Sequence, residues 1–294
     1  MFFPSRDLGR TRFRATQLGV GDVADRSLPV GDCVATLQRA LDAGINVIDT
    51  APNYEDGLSE HIVGKALRGR RRDSVFVIDK VDHLHAPVAP QVDASLARLQ
   101  LAHVDLFVFH ACSTLPDLQR LLEPGGGFDQ LDDVIHGGRA RFRGISSHHP
   151  GVLVHALHAG VCDVVMFPIG PFADSRYEEY VLPLARARGV GTVCFKTFGA
   201  GKLLGDTEGY QRPLAARTAM AELPRLTVDE CVRYTLTANP DVALLGLSTP
   251  AEQDAAFAAA SAFEPMNPSD LAALRERAAR AIAGKGEVWW NPPA

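Results

Sequence analysis

INVIDTAPNYEDGLSE, residues 45–60, decides the fold. Asn46-Val47-Ile48 is a short apolar run of strand type, and it ends on a carboxylate, Asp49. A small-residue turn follows, Thr50-Ala51-Pro52, then Asn53 and the phenol Tyr54. Asp56-Gly57 breaks the chain again, and Ser59 is placed to cap a helix with Ile62, Val63, Ala66 and Leu67 on one face. An acid therefore stands at a strand's C-terminal end, with a tyrosine five residues later in the loop. In parallel α/β folds that edge is where chemistry is built.

Outward from this stretch the same strand–turn–helix order recurs. Residues 8–20 read as a hairpin leading into a first strand, 17–21. Asp32 is placed to cap a helix with Val34, Leu37 and Leu41 on one face, ended by Gly44. Further strands are expected at 74–80, 104–110, 140–146, 162–167, 191–195 and 242–246. A helix is expected from about Pro90, and helix-length segments at 177–188 and 228–238. Eight short apolar strands alternating with helices predict a (β/α)8 barrel, one domain over residues 1–294 without a linker. Residues 203–225, with Gly205, Gly209 and Pro213, read as a long lid or substrate loop. The end, GEVWWNPPA, holds both tryptophans and reads equally as a tail pinned by apolar packing.

Composition narrows the partners. With 294 residues and 46% hydrophobic content the chain has ample material for a large core. A net charge of −5 with mixed signs points to no nucleic acid and no acidic membrane. Four arginines within 68–72 form the one basic cluster, read as a solvated helix C-terminus. Five scattered cysteines without a C-x-x-C suggest a reduced, cytoplasmic chain. The opening MFFP is too short for a signal sequence, and no apolar run spans a membrane.

The 45–60 stretch resembles the aldo-keto reductases, whose pattern here reads G-[IV]-N-x-[FI]-D-T-A-x-x-Y-x-x-x-x-S-E. Lys80 ends the run VFVIDK and His110 ends VDLFVFH. Asp49, Tyr54, Lys80 and His110 match that family's catalytic tetrad residue for residue. The resemblance covers nearly the whole chain and implies reduction of a carbonyl by a nicotinamide cofactor. For the GEVWWNPPA tail it implies a border of the substrate pocket, as the equal alternative to apolar packing. In such a site Tyr54 supplies the proton, Lys80 lowers the phenol's pKa, Asp49 holds Lys80, and His110 positions the substrate oxygen. Taken singly, a strand-end lysine is ordinarily a snorkelling surface group and a loop tyrosine a packing residue. Four residues of the right types, in order and at successive strand ends, outweigh those readings. His83, His85, His148 and His149 also follow strand ends, as a metal hydrolase would require, but form no better-placed set, and no metal ligand is assigned. Cys112 is read as packing.

The cofactor half of the resemblance departs from the pattern. The family's Gly-x-Ser-Asn reads Gly144-Ile145-Ser146-Ser147, so Ser147 replaces the amide, and its strand-six Gln is Met166. Phe195 fits the aromatic that stacks on nicotinamide, followed by Lys196. Thr197-Phe198-Gly199-Ala200-Gly201-Lys202-Leu203 stands where the family wraps the pyrophosphate. Gly246, Ser248 and Gln253 match its adenosine-binding G-x-[SR]-x-x-x-x-Q. A helix N-terminus there is a natural phosphate site. Without a basic residue at Ser248, discrimination between NADH and NADPH is expected to be weak and to lean toward NAD(H). The expected partner is a small carbonyl or alcohol, handled by a monomer or small homo-oligomer. Three other readings stay open: a redox-sensing barrel with little turnover, a metal-dependent hydrolase, and a sugar-modifying lyase that uses the cofactor transiently.

Overall fold

The structure, a computed structural model, describes residues 4–210, 212–214 and 224–292. The chain opens with an antiparallel hairpin, β1 (Ser5–Asp7) and β2 (Arg14–Thr16), with Ser5 opposite Thr16. Its turn carries Gly9 at φ +47°, where a Cβ would lie 2.2 Å from the Gly191 nitrogen. Only glycine lets the hairpin approach the barrel so closely. Leu8 and Ala15 enter the apolar cluster that fills the barrel, so the hairpin acts as its plug.

Strands β3 (Leu18–Val20), β4 (Val47–Asp49), β5 (Phe76–Val81), β6 (Leu106–Phe109), β7 (Phe142–Ser146), β8 (Val164–Pro168) and β9 (Gly191–Phe195) follow in turn. A short antiparallel pair, β10 (Thr207–Gly209) and β11 (Arg212–Pro213), precedes β12 (Val242–Leu245). β3 to β9 and β12 close an eight-stranded parallel barrel, with β12 between β9 and β3. Helices α1 (Val30–Asp42), α2 (Leu58–Ala66), α3 (Val88–Leu99), α4 (Leu115–Leu122), α5 (Gly127–His136) and α6 (Pro150–Ala159) follow β3 to β7. α7 (Leu182–Ala187), α8 (Val228–Ala238), α9 (Pro250–Ser261) and α10 (Pro268–Ile282) complete the set.

Strand alternation sorts the side chains. On β5, Phe76 and Ile78 face the barrel interior with Val108, Val164 and Val193, while Val77 and Val81 face the helices. Asp79 is thereby sent outward and Lys80 inward. A third cluster joins Leu203, Tyr234, Leu274 and Trp290, which seats the C-terminal tail.

Several local expectations are corrected. Asp32 caps nothing, because α1 starts at Val30 behind Pro29. α2 begins behind Gly57 at φ +83°, and the Ser59 hydroxyl instead accepts from Thr50 Oγ1 at 2.9 Å. The helix expected from Pro90 starts at Val88, and the 177–188 segment is a π-type turn, Tyr177–Val181, running into α7. The 203–225 loop contains the β10–β11 pair; residues 211 and 215–223 of that expected lid lie outside the described residues. Among the described residues, no helix is long and apolar enough to cross a membrane.

Candidate active site

At the C-terminal end of the barrel Lys80 Nζ donates to Asp49 Oδ1 and to the Thr50 carbonyl, both at 2.7 Å. The pair is deep: Lys80 is 2% and Asp49 4% exposed. Burial pushes the Asp49 carboxyl up, and Lys80 opposes that shift. Lys80 Nζ lies 4.5 Å from the centre of the Tyr54 ring.

Tyr54 is presented by a turn with three consecutive left-handed residues, Glu55, Asp56 and Gly57. Left-handed backbone is unfavourable for the first two, so other contacts must hold it. Arg26 does so, donating to the Glu55 carboxylate at 3.0 Å, the Glu55 carbonyl at 2.6 Å and the Asp56 carboxylate at 2.8 Å. His110 meets the Tyr54 ring edge-on, centroids 5.8 Å apart. Its Nδ1 lies 2.5 Å from Asp82 Oδ1, and Asp82 Oδ2 accepts from the Asn53 amide at 2.9 Å. Asp82 therefore ties the histidine to the tyrosine loop. Sequence reading missed both Asp82 and Arg26; the run Lys80-Val81-Asp82 was the available signal for the first.

Burial, and then the Asp49 charge, push the Tyr54 phenol well above its ordinary value. The net direction is upward even with the Lys80 ammonium 4.5 Å from the ring centre. The ammonium is bound to a carboxylate, and what remains favours a phenol that keeps its proton.

The residues expected to hold a cofactor are placed unevenly. Ser146 and Met166 are register partners on β7 and β8, and both are buried. Ser147 Oγ accepts from the His149 amide at 3.1 Å. Phe195 ends β9 half-buried and packs edge-on against His148 at 5.3 Å. Thr197 is buried against α8, its Oγ1 accepting from Thr235 Oγ1 at 3.2 Å. Lys196, Gly199, Ala200 and Gly201 all have positive φ, and Phe198 is half-buried beside them. A Cβ on Gly246 would meet nothing within 4 Å. The Ser248 and Thr249 amides both donate to Glu252 Oε2, at 2.9 and 3.2 Å. Gln253 is fully buried and faces α1: its Nε2 donates to the Thr36 and Leu247 carbonyls, and its Oε1 accepts from Arg39. A cavity of about 350 Å³ opens beside it, lined by Leu28, Thr36, Arg39, Ser248 and Thr249.

The four strand-end histidines are scattered among other tasks. His85 pairs with Asp117 at 3.0 Å, and His149 Nδ1 accepts from the Gly151 amide to cap α6. The His83 amide donates to Gln91. Burial lowers His148 to about 4, and its buried Nε2 has no partner. Among the described residues no three His, Cys, Asp or Glu are grouped to hold a metal. Cys112 is buried, its thiol pushed up to about 12 by burial.

Known proteins share this fold. The profile of the "Aldo/keto reductase family" matches residues 17–278. The chain is 28% identical over 238 residues to the NADH-specific methylglyoxal reductase of Escherichia coli (strain K12), covering 71% of this chain and 72% of that protein. Its fold superposes on the holo form of an aldo-keto reductase from Bacillus halodurans with TM-score 0.73 and 23% identity, covering 94% of this chain and 96% of the other. An aldo-keto reductase from Klebsiella pneumoniae in complex with NADPH superposes with TM-score 0.71 and 21% identity, covering 94% and 95%. With its closed barrel and a family profile that runs over most of its length, the chain belongs to the aldo-keto reductases, a family of NAD(P)-dependent oxidoreductases.

Proposed function

We propose that the chain interconverts a small carbonyl compound and its alcohol, with Tyr54 donating the proton to the carbonyl oxygen during reduction. The observation that carries this is the buried Lys80–Asp49 pair set 4.5 Å under the Tyr54 ring. A protonated phenol beside an ordered histidine suits a proton donor. With Nδ1 engaged by Asp82, His110 keeps Nε2 to hold the substrate oxygen. A bound nicotinamide would exchange the hydride. The residues fit it: Phe195 offers a ring at a strand end, Ser146 lines the wall, and Gly246 leaves the backbone uncovered. Of the two cofactors, NAD(H) suits the site better, because Glu252 occupies the amides at the start of α9.

Tyr54→Phe tests the assignment. It removes the proton and keeps the ring. Turnover of a carbonyl panel, followed at the nicotinamide absorbance, is expected to fall by about 10² to 10⁴, with NADH affinity nearly unchanged. Near-normal turnover would refute the role of Tyr54.

A further inference from the structure

Lys196 is the charged group that the proposed chemistry leaves unused. It follows Phe195 directly, in left-handed backbone at φ +71°. Its Nζ donates to the Tyr210 hydroxyl and lies 4.6 to 5.8 Å from the ring centres of Phe195, Tyr210, Trp289 and Trp290. Three separate parts of the chain therefore converge on one ammonium: the end of β9, the β10–β11 turn and the C-terminal tail. Among the described residues no carboxylate pairs with it. An ammonium contacted by rings and a phenol hydroxyl, with the Lys202 ammonium over the same two tryptophans, retains an unmet demand for an anion.

The neighbourhood reaches the barrel mouth through Phe195, whose ring meets His148 edge-on at 5.3 Å. The Tyr210 hydroxyl is within electrostatic reach of Tyr54, and Lys196 is within reach of His148, which in turn feels His110. The other ammonium at the mouth, Lys80, is already neutralised by Asp49. The Tyr210 ring is 63% exposed, so the cage faces solvent on that side. Burial lowers Lys196 to about 8, and an anion bound beside it would raise it again.

We infer that Lys196 is a specificity-determining residue: it receives an anionic group, a carboxylate, carried by the carbonyl substrate at the end away from the reacting carbon. This rests on the proposed carbonyl reduction. The same chemistry would suit the cofactor's diphosphate, since Lys196 immediately precedes the segment expected to wrap it, and the test separates the two sources.

The test compares 4-carboxybenzaldehyde with its methyl ester, in the wild-type chain and in Lys196→Met and Lys196→Arg. Both aldehydes use one tetrad and one cofactor, so the ratio of their kcat/KM cancels any general loss of turnover. The wild-type ratio is expected to favour the acid roughly tenfold or more, mostly through KM. In Lys196→Met it falls to about one, and Lys196→Arg keeps part of it. A wild-type ratio of one or less, or a preference that survives Lys196→Met, overturns the inference. So does an unchanged ratio accompanied by weaker NADH binding, which would give Lys196 to the diphosphate. If neither aldehyde is reduced, the proposed function fails, and binding still decides the subsite. The two tryptophans of the chain both border Lys196, so their fluorescence reports directly on it. Titration with 4-(hydroxymethyl)benzoate against benzyl alcohol is expected to show tighter binding of the anion in the wild type only. Equal binding of the two refutes the subsite.

Discussion

Asp79 and Lys80 are adjacent in sequence and opposite in surroundings. Lys80 points into the barrel and meets Asp49, whereas Asp79 points at the helix layer. There its Oδ1 accepts from the Lys80 amide at 2.8 Å, and its Oδ2 is buried without a partner. The nearby Glu60 is also fully buried, but its charge is matched by Arg98, whose Nη2 donates to Glu60 Oε1 at 3.0 Å. Burial, reinforced by Glu60, pushes Asp79 well above the ordinary carboxylate range, which favours its protonated form in the folded chain. The unfolded chain loses that proton above about pH 4. The stability associated with it is complete below that pH and is lost as pH rises toward the folded-state value. Asp79→Asn removes the titration and keeps an acceptor for the Lys80 amide. Its stability relative to wild type is expected to rise between pH 5 and pH 8, by at most about 1.4 kcal/mol per pH unit, the limit for one proton. Thermal unfolding across that range checks it; a difference that stays flat with pH means Asp79 is charged. At this scale the meeting of Asp49, Tyr54, Lys80 and His110 was legible, because residue type and order along successive strands carried it. Asp82 and Arg26 were not, because their partners, His110 and Glu55, come from other loops.

Elements obey close approaches that no local pattern announces. Strand positions were readable from apolar runs, with starts about two residues later than expected at β5, β6, β7 and β8. Cap signals were less reliable. Ser59 looked like a cap, yet its hydroxyl is claimed by Thr50, and left-handed Gly57 starts the helix instead. The glycine of the Gly-x-Ser motif shows the same dependence on a neighbour. Gly144 pairs with Val164 across β7 and β8, and a Cβ there would lie 1.9 Å from the Val164 carbonyl oxygen. Backbone cannot yield as a flexible side chain does, so Gly144→Ala must part the two strands. The expected cost is at least about 3 kcal/mol, a fall in Tm of roughly 6–12 °C or loss of folded protein. A wild-type Tm in that variant would mean the barrel has slack at this contact.

At the scale of the whole molecule, barrel closure was readable from the number and length of the strands, but cofactor choice was not. On the proposed reading it would depend on α1 and α9 meeting, where Arg39 and Gln253 bond across 214 residues of sequence. The sequence showed Ser248 where a basic residue would favour a 2′-phosphate, and left the α9 N-terminus as a rival phosphate site. In the structure Glu252 already accepts from the Ser248 and Thr249 amides, so a phosphate there would meet a carboxylate rather than free donors. The cation lining the adjacent cavity, Arg39, is held by Asp254 at 2.5 Å as well as by Gln253. A chain of net charge −5 adds no general attraction for the extra phosphate. Dissociation constants for NADH and NADPH, measured at one salt concentration, are therefore expected to differ by less than about tenfold, with NADH the tighter. Glu252→Gln keeps an acceptor for the amides and removes the charge. It is expected to shift the ratio toward NADPH by roughly fivefold, about 1 kcal/mol. If NADPH binds the wild-type chain a hundredfold tighter, a cation must reach the ribose. Arg39 would then have to exchange Asp254 for the phosphate, and Arg39→Met would abolish the preference.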